Sequence, residues 1–351
     1  MNIIDWASTL TNSQINNFTK HELIIRNNIV KFYIKTKECL INYSYEYICC
    51  EYWFAGAVKA TRSANISRLK YVKTHTFSDC ISVYSVCALS ADELLVSCGY
   101  DGLFTLSLRT GLRSALHFKA HENHVRKVAF DTRTGTLILL VSNNNVCKWL
   151  LVSLRRKSRN ASEWLEVQRL ETIWSSLRAI DFAMTVCDSR VLLARTGEGT
   201  LFVFDVSATH TLHQVGQVDN SYPIWSLACT RQADDILVAV GHSFSVSLQR
   251  LTSNPLGIEP ILNATSKHQS TWTQQLLFRG ELLLAAHYVD LKYVIVSFRA
   301  TLNALTARRV LFNAGDNGYH LDWTIAGDQL VTAYFNYFTA SFNSLLVYDF
   351  E

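Results

Sequence analysis

Glycine is scarce in this chain, with only 14 glycines among 351 residues, most of them isolated. Loops that cradle phosphate groups are built from clustered glycines, so such loops are hardly available here. The sequence also lacks the motifs of serine hydrolases, zinc proteases, P-loop enzymes and dinucleotide-binding folds. These absences argue against the commonest enzyme classes, and the sequence assigns no catalytic or cofactor-binding residue.

Charged residues are also few, at 18% of the chain, whereas hydrophobic residues reach 49%. Such a composition can bury a large core and is far from that of a disordered chain. Its apolar runs end well before membrane-spanning length, and the N-terminus shows no signal-peptide pattern. We therefore expect no membrane partner and a cytoplasmic or nuclear location. The net charge of +4 does not by itself predict nucleic-acid binding.

The nine cysteines follow no metal-ligand spacing. Several of them, such as Cys87 and Cys147, lie inside apolar strand-like runs. The sequence therefore predicts no metal site. It predicts reduced cysteines that serve as small core residues.

Strand-like runs bounded by turn residues recur along the chain, and extended helical periodicity is missing. Six dipeptides, which we align at the ends of third strands, recur at intervals of about 50 residues, a spacing typical of propeller blades. The dipeptides are Leu108-Arg109, Trp149-Leu150, Phe204-Asp205, Leu248-Gln249, Phe298-Arg299 and Tyr348-Asp349. The longest interval follows Trp149-Leu150, and the sixth repeat stops before an outer strand.

Four further strand-like runs precede residue 78, enough for one more blade. Division of the 351 residues by seven gives about 50 residues per blade, as in the later repeats. We therefore predict a single all-β domain over residues 1–351, a seven-bladed propeller. Residues 1–77 would form a divergent first blade and the closing strand, placed at Asn2–Thr9, and residues 78–351 the regular blades. Six blades with an N-terminal extension is the alternative.

The stretch over residues 94–131 resembles the WD-repeat family. Ser97–Gly102 looks like that family's turn between second and third strands, in which Asp101 accepts backbone hydrogen bonds and Gly102 allows a positive φ. His121 lies where the family places its histidine, before the next inner strand. The resemblance implies a WD-type β-propeller in which Asp101 and His121 are structural residues buried between strands. No repeat contains the family's Trp-Asp dipeptide intact.

Two groups of residues are candidates for partner binding. Aromatic residues precede several inner strands and would surround one mouth of a central channel, although packing between blades is the alternative explanation. A basic segment is predicted to protrude after a third strand, where it would contact RNA phosphates or an acidic protein, or remain solvated. The aromatic candidates are Trp174, Tyr222, Trp225, Trp272 and Tyr319, and the basic ones are Arg155, Arg156, Lys157 and Arg159.

Propellers hold their loops around a broad rigid face, so the sequence predicts a non-enzymatic scaffold or adaptor in an intracellular complex. No small-molecule substrate and no cofactor are expected. One alternative is an accessory subunit that presents RNA to a modifying enzyme. The other is a hydrolase, which would need at least two of a set of polar residues within reach of one cavity. That set is His121, His242, His287, His320 and Asp322.

Overall fold

The strands of this chain form a ring of small β-sheets. A computed structural model describes residues 69–78, 80, 82–99, 101–116, 123–143, 148–157, 163–172, 182–243, 245–253, 255–265, 272–289, 292–302, 304–314, 318–336 and 341–350. These residues belong to one compact unit. Within these ranges no helix occurs, and hence none that is long and apolar enough to cross a membrane.

The described residues form six antiparallel four-stranded sheets, each of which is one blade. The first strand in the chain is β1 (Leu69–Thr76). Blade 1 contains β2 (Ser85–Ala88), β3 (Glu93–Ser97), β4 (Leu103–Ser107) and β5 (Arg113–Leu116). Blade 2 contains β6 (Asn123–Asp131), β7 (Thr136–Asn143), β8 (Lys148–Arg156) and β9 (Trp164–Glu171). Blade 3 contains β10 (Phe182–Cys187), β11 (Arg190–Arg195), β12 (Glu198–Val206) and β13 (Leu212–Ile224).

Blades 4 to 6 follow the same order, from inner strand to outer strand. Blade 4 contains β14 (Ser226–Gln232), β15 (Asp235–Gly241), β16 (Ser245–Ser253) and β17 (Leu256–Thr265). Blade 5 contains β18 (Trp272–Arg279), β19 (Leu282–Val289), β20 (Lys292–Thr301) and β21 (Ala304–Ala314). Blade 6 contains β22 (Gly318–Ala326), β23 (Gln329–Asn336) and β24 (Ser341–Phe350), and β1 is its outer strand.

The second strand of each blade is the most buried, as β7 illustrates. Its residues Leu137–Val141 have no exposed surface. Ile138 and Leu140 pack with blade 3, whereas the alternate residues pack with blade 1. Because both faces of the strand are covered, it reads as one continuous apolar run instead of an alternating pattern. Burial of each such side chain contributes about 1.5–3 kcal/mol, so the layers between blades hold the ring together.

The ring closes with six blades, so the prediction of seven is wrong and the six-bladed alternative is confirmed for the described residues. Blade 6 bonds directly to blade 1, because the Val86 amide donates to the Asp322 carboxylate at 3.2 Å and the Ala88 amide to Thr324 Oγ1 at 3.1 Å. No space is left there for a seventh blade. Three of the four N-terminal runs counted toward it lie in residues 1–68, outside the described residues. The fourth, at residues 68–75, corresponds to β1 and belongs to blade 6, not to a separate blade. The single-domain prediction stays a prediction.

The closing strand is β1, not Asn2–Thr9. It pairs antiparallel with β24, with Tyr71 opposite Tyr348 and Thr76 opposite Ser344. The rings of Tyr71 and Tyr348 make an edge contact at 6.1 Å between centroids. The prediction that a segment before the first blade completes the last blade is therefore confirmed, but the segment predicted for this role, Asn2–Thr9, is wrong. Asn2–Thr9 lies outside the described residues. Pairing with β1 removes the free edge of β24.

Each blade has one end at each face of the ring. Because neighbouring strands are antiparallel, successive turns of a blade lie at alternate faces. We call the face at which inner strands begin the entry face; it also carries the turns between second and third strands, such as residues 98–102. We call the other face the exit face. It carries the turns after inner strands, such as residues 132–135, and the turns between third and outer strands, such as residues 108–112.

Two of the cysteines predicted to be reduced are joined in a disulfide. Cys80 lies before β2 and Cys98 directly after β3, and the fold brings their Cα atoms to 6.0 Å. Because the two cysteines are distant in the sequence and neither belongs to a motif, the sequence alone did not indicate the pair. Cys87, in contrast, is a buried free thiol, as predicted.

Candidate functional site

The turn at residues 98–102 has the predicted place and backbone form. It joins β3 to β4, Gly99 and Gly102 have φ values of 65° and 98°, and the Asp101 amide donates to the Cys98 carbonyl at 3.1 Å. The Asp101 side chain is exposed, however, so the expectation that it is buried between strands is wrong. His121 lies outside the described residues, and the structural role of this pair stays a prediction.

A different histidine, His124, packs over this turn. It is buried at the start of β6, and its ring meets the Tyr84 ring edge-on at 4.5 Å between centroids. Its Nε2 lies so close to Gly99 that a Cβ at residue 99 would be only 2.6 Å away. Burial, reinforced by the nearby Arg126 charge, lowers the pKa of His124 to about 3. This neutral histidine therefore fills a packing role that the sequence had indicated only for His121.

Blade 4 contains a second buried histidine on the entry face. His242 Nδ1 lies 3.0 Å from the Pro223 carbonyl oxygen, and Nε2 lies 2.8 Å from Ser247 Oγ. The carbonyl can only accept, so Nδ1 carries the proton and Nε2 accepts from the serine hydroxyl. Burial lowers the pKa of His242, which agrees with this neutral form. Both nitrogens are thus used, one for a bond to blade 3 and the other for a bond within blade 4.

An ion pair lies at the centre of the ring, in the channel between the inner strands. Lys127 of blade 2 and Asp322 of blade 6 approach to 3.6 Å, with side chains only 8% and 14% exposed. Asp322 also accepts hydrogen bonds from the Ser85 hydroxyl and the Val86 amide of blade 1. Burial raises the pKa of Asp322, although Lys127 and these donors oppose the shift. The remaining space beside the pair is about 20 Å³, enough for about one water molecule.

The polar residues that a hydrolase would need do not converge in the described part of the ring. Asp322 lies in the channel, whereas His242 bonds to blades 3 and 4 and His287 bonds within blade 5, to Thr273 Oγ1 at 3.4 Å. His121 lies outside the described residues, and only the backbone of His320 is described. Nor does any group of three His, Cys, Asp or Glu residues suited to a metal ion occur among the described residues.

Four of the five aromatic candidates lie in the described residues, at the ends of strands on the entry face. Tyr222 is 63% exposed, so packing between blades covers only a minor part of it. Trp225 is half-buried, and its Nε1 donates to Ser243 Oγ at 2.9 Å. Trp272 begins β18 and Tyr319 lies in β22, but their side chains are not described; Trp174 lies outside the described residues. Their role in binding stays a prediction.

The described part of the basic segment, Arg155–Lys157, is not an insertion. Arg155 and Arg156 belong to β8 itself, and Lys157 starts the turn to β9 on the exit face. Arg156 Nη2 donates to Glu93 at 2.9 Å, and Lys157 Nζ donates to Glu163 at 2.7 Å. Two of the four predicted cations therefore pair with carboxylates. Arg155 is exposed, and Arg159 lies outside the described residues.

A groove lies between blades 6 and 1, and we call it the β1 groove. It is open to solvent and has a volume of about 640 Å³. One wall is the second half of β1, and the other is the turn from β4 to β5. The lining residues are Thr74, His75, Thr76, Phe77, Ser78, Leu106, Gly111, Leu112 and Arg113.

The chemistry of the β1 groove is mixed. Phe77 and Phe104 pack edge to face at 5.0 Å, and the Arg113 guanidinium lies 4.9 Å from the Phe104 ring centroid. Leu112, at the rim, is 73% exposed. His75 Nε2 is buried without a hydrogen-bond partner among the described residues. Burial, with help from the Lys73 charge, lowers the pKa of His75.

Sequence reasoning missed the β1 groove. Its two walls come from separate segments of the chain and belong to blades at opposite ends of the chain order, so no local pattern marks it. The exposed Leu112 next to Gly111 was the only local signal. An apolar side chain at the tip of a tight turn is unusual, because turns favour polar residues.

Comparisons with known proteins agree with the fold. A chain in the crystal structure of the mitotic checkpoint complex aligns at a TM-score of 0.49 and 12% identity, covering 84% of this chain and 100% of that one. The PQQ-bound aldose sugar dehydrogenase from Streptomyces coelicolor aligns at 0.52 and 11% identity, covering 81% and 98%. No family model and no curated protein matches.

The ring of six four-stranded sheets defines the protein as an all-β propeller, and the alignment with the dehydrogenase agrees with this fold. At such low identity the likeness concerns the fold alone. One of the two aligned proteins is an enzyme and the other belongs to a checkpoint complex, so their functions do not decide that of this chain.

Proposed function

We propose that this protein is a divergent WD-type propeller that acts as a non-catalytic scaffold or adaptor in an intracellular complex. The observation that supports this most is the β1 groove with the exposed Leu112 at its rim. A groove that is open to solvent, with an exposed leucine at its rim and a few polar groups, suits the binding of a protein segment. Small-molecule substrates bind instead in pockets that enclose most of their surface. The cytoplasm or the nucleus is the setting that we propose.

The charges around the β1 groove favour a partner segment with acidic residues. Arg113 lies in the groove, Lys73 and Arg109 stand beside it, and none of its nine lining residues is Asp or Glu. Lys73 Nζ donates to the Leu108 carbonyl, which holds its charge at the rim without neutralising it. Complementary charge raises the rate of association and suppresses wrong partners.

The centre of the ring supports a non-catalytic role. The Lys127–Asp322 pair occupies the channel, and the space beside it is too small for a substrate. His242 uses both ring nitrogens for hydrogen bonds, one to Pro223 of blade 3 and one to Ser247 of its own blade. Of the polar residues that a hydrolase would need, Asp322 is the one among the described side chains that lines this space.

The test is native affinity purification with quantitative mass spectrometry on the full chain and two variants. Leu112→Asp places a charge at the rim of the β1 groove, and we expect it to deplete the bound partner at least about tenfold, the loss of about 1.4 kcal/mol. Leu165→Asp is the matched control, because Leu165 is also exposed, at 37%, but lies on β9 of blade 2. Equal partner recovery by all three proteins would contradict the proposal.

A further inference from the structure

Two free cysteines meet between blades 3 and 4. Cys187 is the last residue of β10, and Cys229 lies in β14, the inner strand of the next blade. Cys187 and Thr185 lie two residues apart on one face of β10. Thr185 Oγ1 lies 3.4 Å from Cys229 Sγ, so this face of β10 packs against Cys229. The two cysteines are thus on facing strands of neighbouring blades, although the outer strands of blade 3 separate them along the chain.

The two thiols differ in reactivity. Donation from Cys229 lowers the pKa of the Cys187 thiol, with a smaller contribution from Arg231, against burial and the charges of Asp188 and Asp131. Burial, above all, raises the pKa of Cys229. Because the thiolate is the nucleophile, Cys187 is the thiol that reacts first.

The surroundings make Cys187 reachable from the exit face. It is half-buried and is followed by Asp188 and Ser189, both with positive φ, in the turn to β11. Asp188 joins the guanidinium groups of Arg133 and Arg231, the first of them at 2.6 Å. Arg133 is 63% exposed, so these cations stand at the surface beside the thiol pair.

We propose that Cys187 and Cys229 form a reversible modification site for low-molecular-weight disulfides such as glutathione disulfide. The Cys187 thiolate attacks one glutathione sulfur; the disulfide breaks, and one glutathione leaves and takes up a proton. Cys229 gives up its proton to solvent and attacks the Cys187 sulfur, which releases the second glutathione. Two protein thiols are oxidised to a disulfide, and one glutathione disulfide is reduced to two glutathione molecules.

The product would link the inner strands of blades 3 and 4 covalently, directly beneath the Arg133–Asp188–Arg231 cluster. Redox conditions would then set the rigidity of one sector of the exit face. This site is independent of the proposed scaffold function, since it does not involve the β1 groove. The disulfide Cys80–Cys98 lies in another sector of the ring, near blades 6 and 1.

Peptide mapping of the full chain tests the site. Trypsin releases Cys187 in residues 179–190 and Cys229 in residues 196–231, and neither peptide contains another cysteine. After treatment with glutathione disulfide, we expect these two peptides to be joined, and dithiothreitol to separate them. Buried Cys87, in residues 74–109, should stay unmodified and serves as the internal control.

Two variants separate the roles of the thiols. Cys229→Ser should retain one glutathione on Cys187, and Cys187→Ser should give neither linkage nor modification of Cys229. Unmodified Cys187 in the wild-type chain would overturn the proposal, and so would a glutathione that stays on wild-type Cys187 without linkage. Near-UV circular dichroism would reveal a variant that fails to fold. In that case the peptide map of the wild-type chain still decides whether the proposal holds.

Discussion

At the scale of single residues, this fold uses histidine as a packing group. His124 closes over Gly99 and Tyr84, and His242 bonds to Pro223 of blade 3 and Ser247 of blade 4. Both side chains are buried, and burial lowers the pKa of each. Histidines that stay neutral can pack among apolar residues without an uncompensated charge.

Gly99 should be hard to replace, for two separable reasons. Its φ of 65° strains any other residue, and a Cβ would lie 2.6 Å from His124 Nε2. Gly135 is the matched control, because its φ of 70° imposes the same strain with no atom within 4 Å of the added Cβ. We expect Gly135→Ala to lower the free energy of unfolding by about 1 kcal/mol and Gly99→Ala by clearly more. Urea unfolding measures both, and equal losses would contradict the close contact.

The stability of the protein should fall as pH falls below neutrality. The pKa of His124 is about 3 in the folded state, against 6.5 for an ordinary histidine, so the unfolded chain binds the proton first. The free energy of unfolding is therefore unaffected by His124 above pH 6.5 and falls as the pH drops from 6.5 to 3. At pH 5 the loss amounts to about 2 kcal/mol. His124→Gln should flatten the dependence in urea titrations at pH 7, 6 and 5. An unchanged slope in that variant would contradict this origin.

At the scale of elements, the inner strands are joined across the channel by charge as well as by packing. Lys127 in β6 and Asp322 in β22 belong to blades on either side of blade 1, and Ser85 of blade 1 bonds to the same carboxylate. One pair of side chains thereby connects three blades. Ion pairs of this kind are costly to break, because the partner left behind is a buried charge.

A double-mutant cycle tests this connection. Lys127→Met leaves the Asp322 carboxylate without its cation, and we expect a loss of about 3–5 kcal/mol in the free energy of unfolding. Combining it with Asp322→Asn removes both charges, so the double variant should lose less than the sum of the two single losses. Urea unfolding of the four proteins gives the coupling energy. A loss in the double variant equal to the sum of the two single losses would contradict an energetic link between the two blades.

Strand alignment shows where sequence reasoning went wrong at this scale. Trp149-Leu150 was aligned with the ends of third strands, but it lies near the start of β8, which continues to Arg156. This shift produced the longest interval between repeats and the apparent basic insertion. The alignment relied on the aromatic residue, whereas the register of β8 with β7 extends from Lys148 to Arg155. Pairing with a neighbouring strand, not residue type, fixes where a strand ends.

At the scale of the whole molecule, the candidate binding residues divide between two faces. Tyr222 and Trp225 lie at the entry face, whereas Leu112 and the basic residues of β8 lie at the exit face. A ring about as thick as one strand is long separates them, so one small partner domain could not contact both groups. The propeller therefore offers two surfaces.

This division leads to a prediction about partners. We expect Tyr222→Ser and Leu112→Asp to deplete different proteins in native affinity purification, because the two residues lie at opposite faces of the ring. Both are exposed, so neither change should alter the fold, which circular dichroism would check. Depletion of the same protein to the same extent by both variants would contradict two separate surfaces.

The sequence by itself determined the all-β propeller class, the strands of most blades and the turn at residues 98–102. Those features depend on local properties: apolar runs, turn residues and a regular spacing. Only the tertiary structure decided the number of blades, the strand that closes the ring, the Cys80–Cys98 pair, the Lys127–Asp322 pair and the β1 groove. Cys80 and Cys98, 18 residues apart, are brought together by the antiparallel pairing of β2 with β3. The other features depend on segments that are distant in the chain, and ring closure, not local preference, brings those segments together.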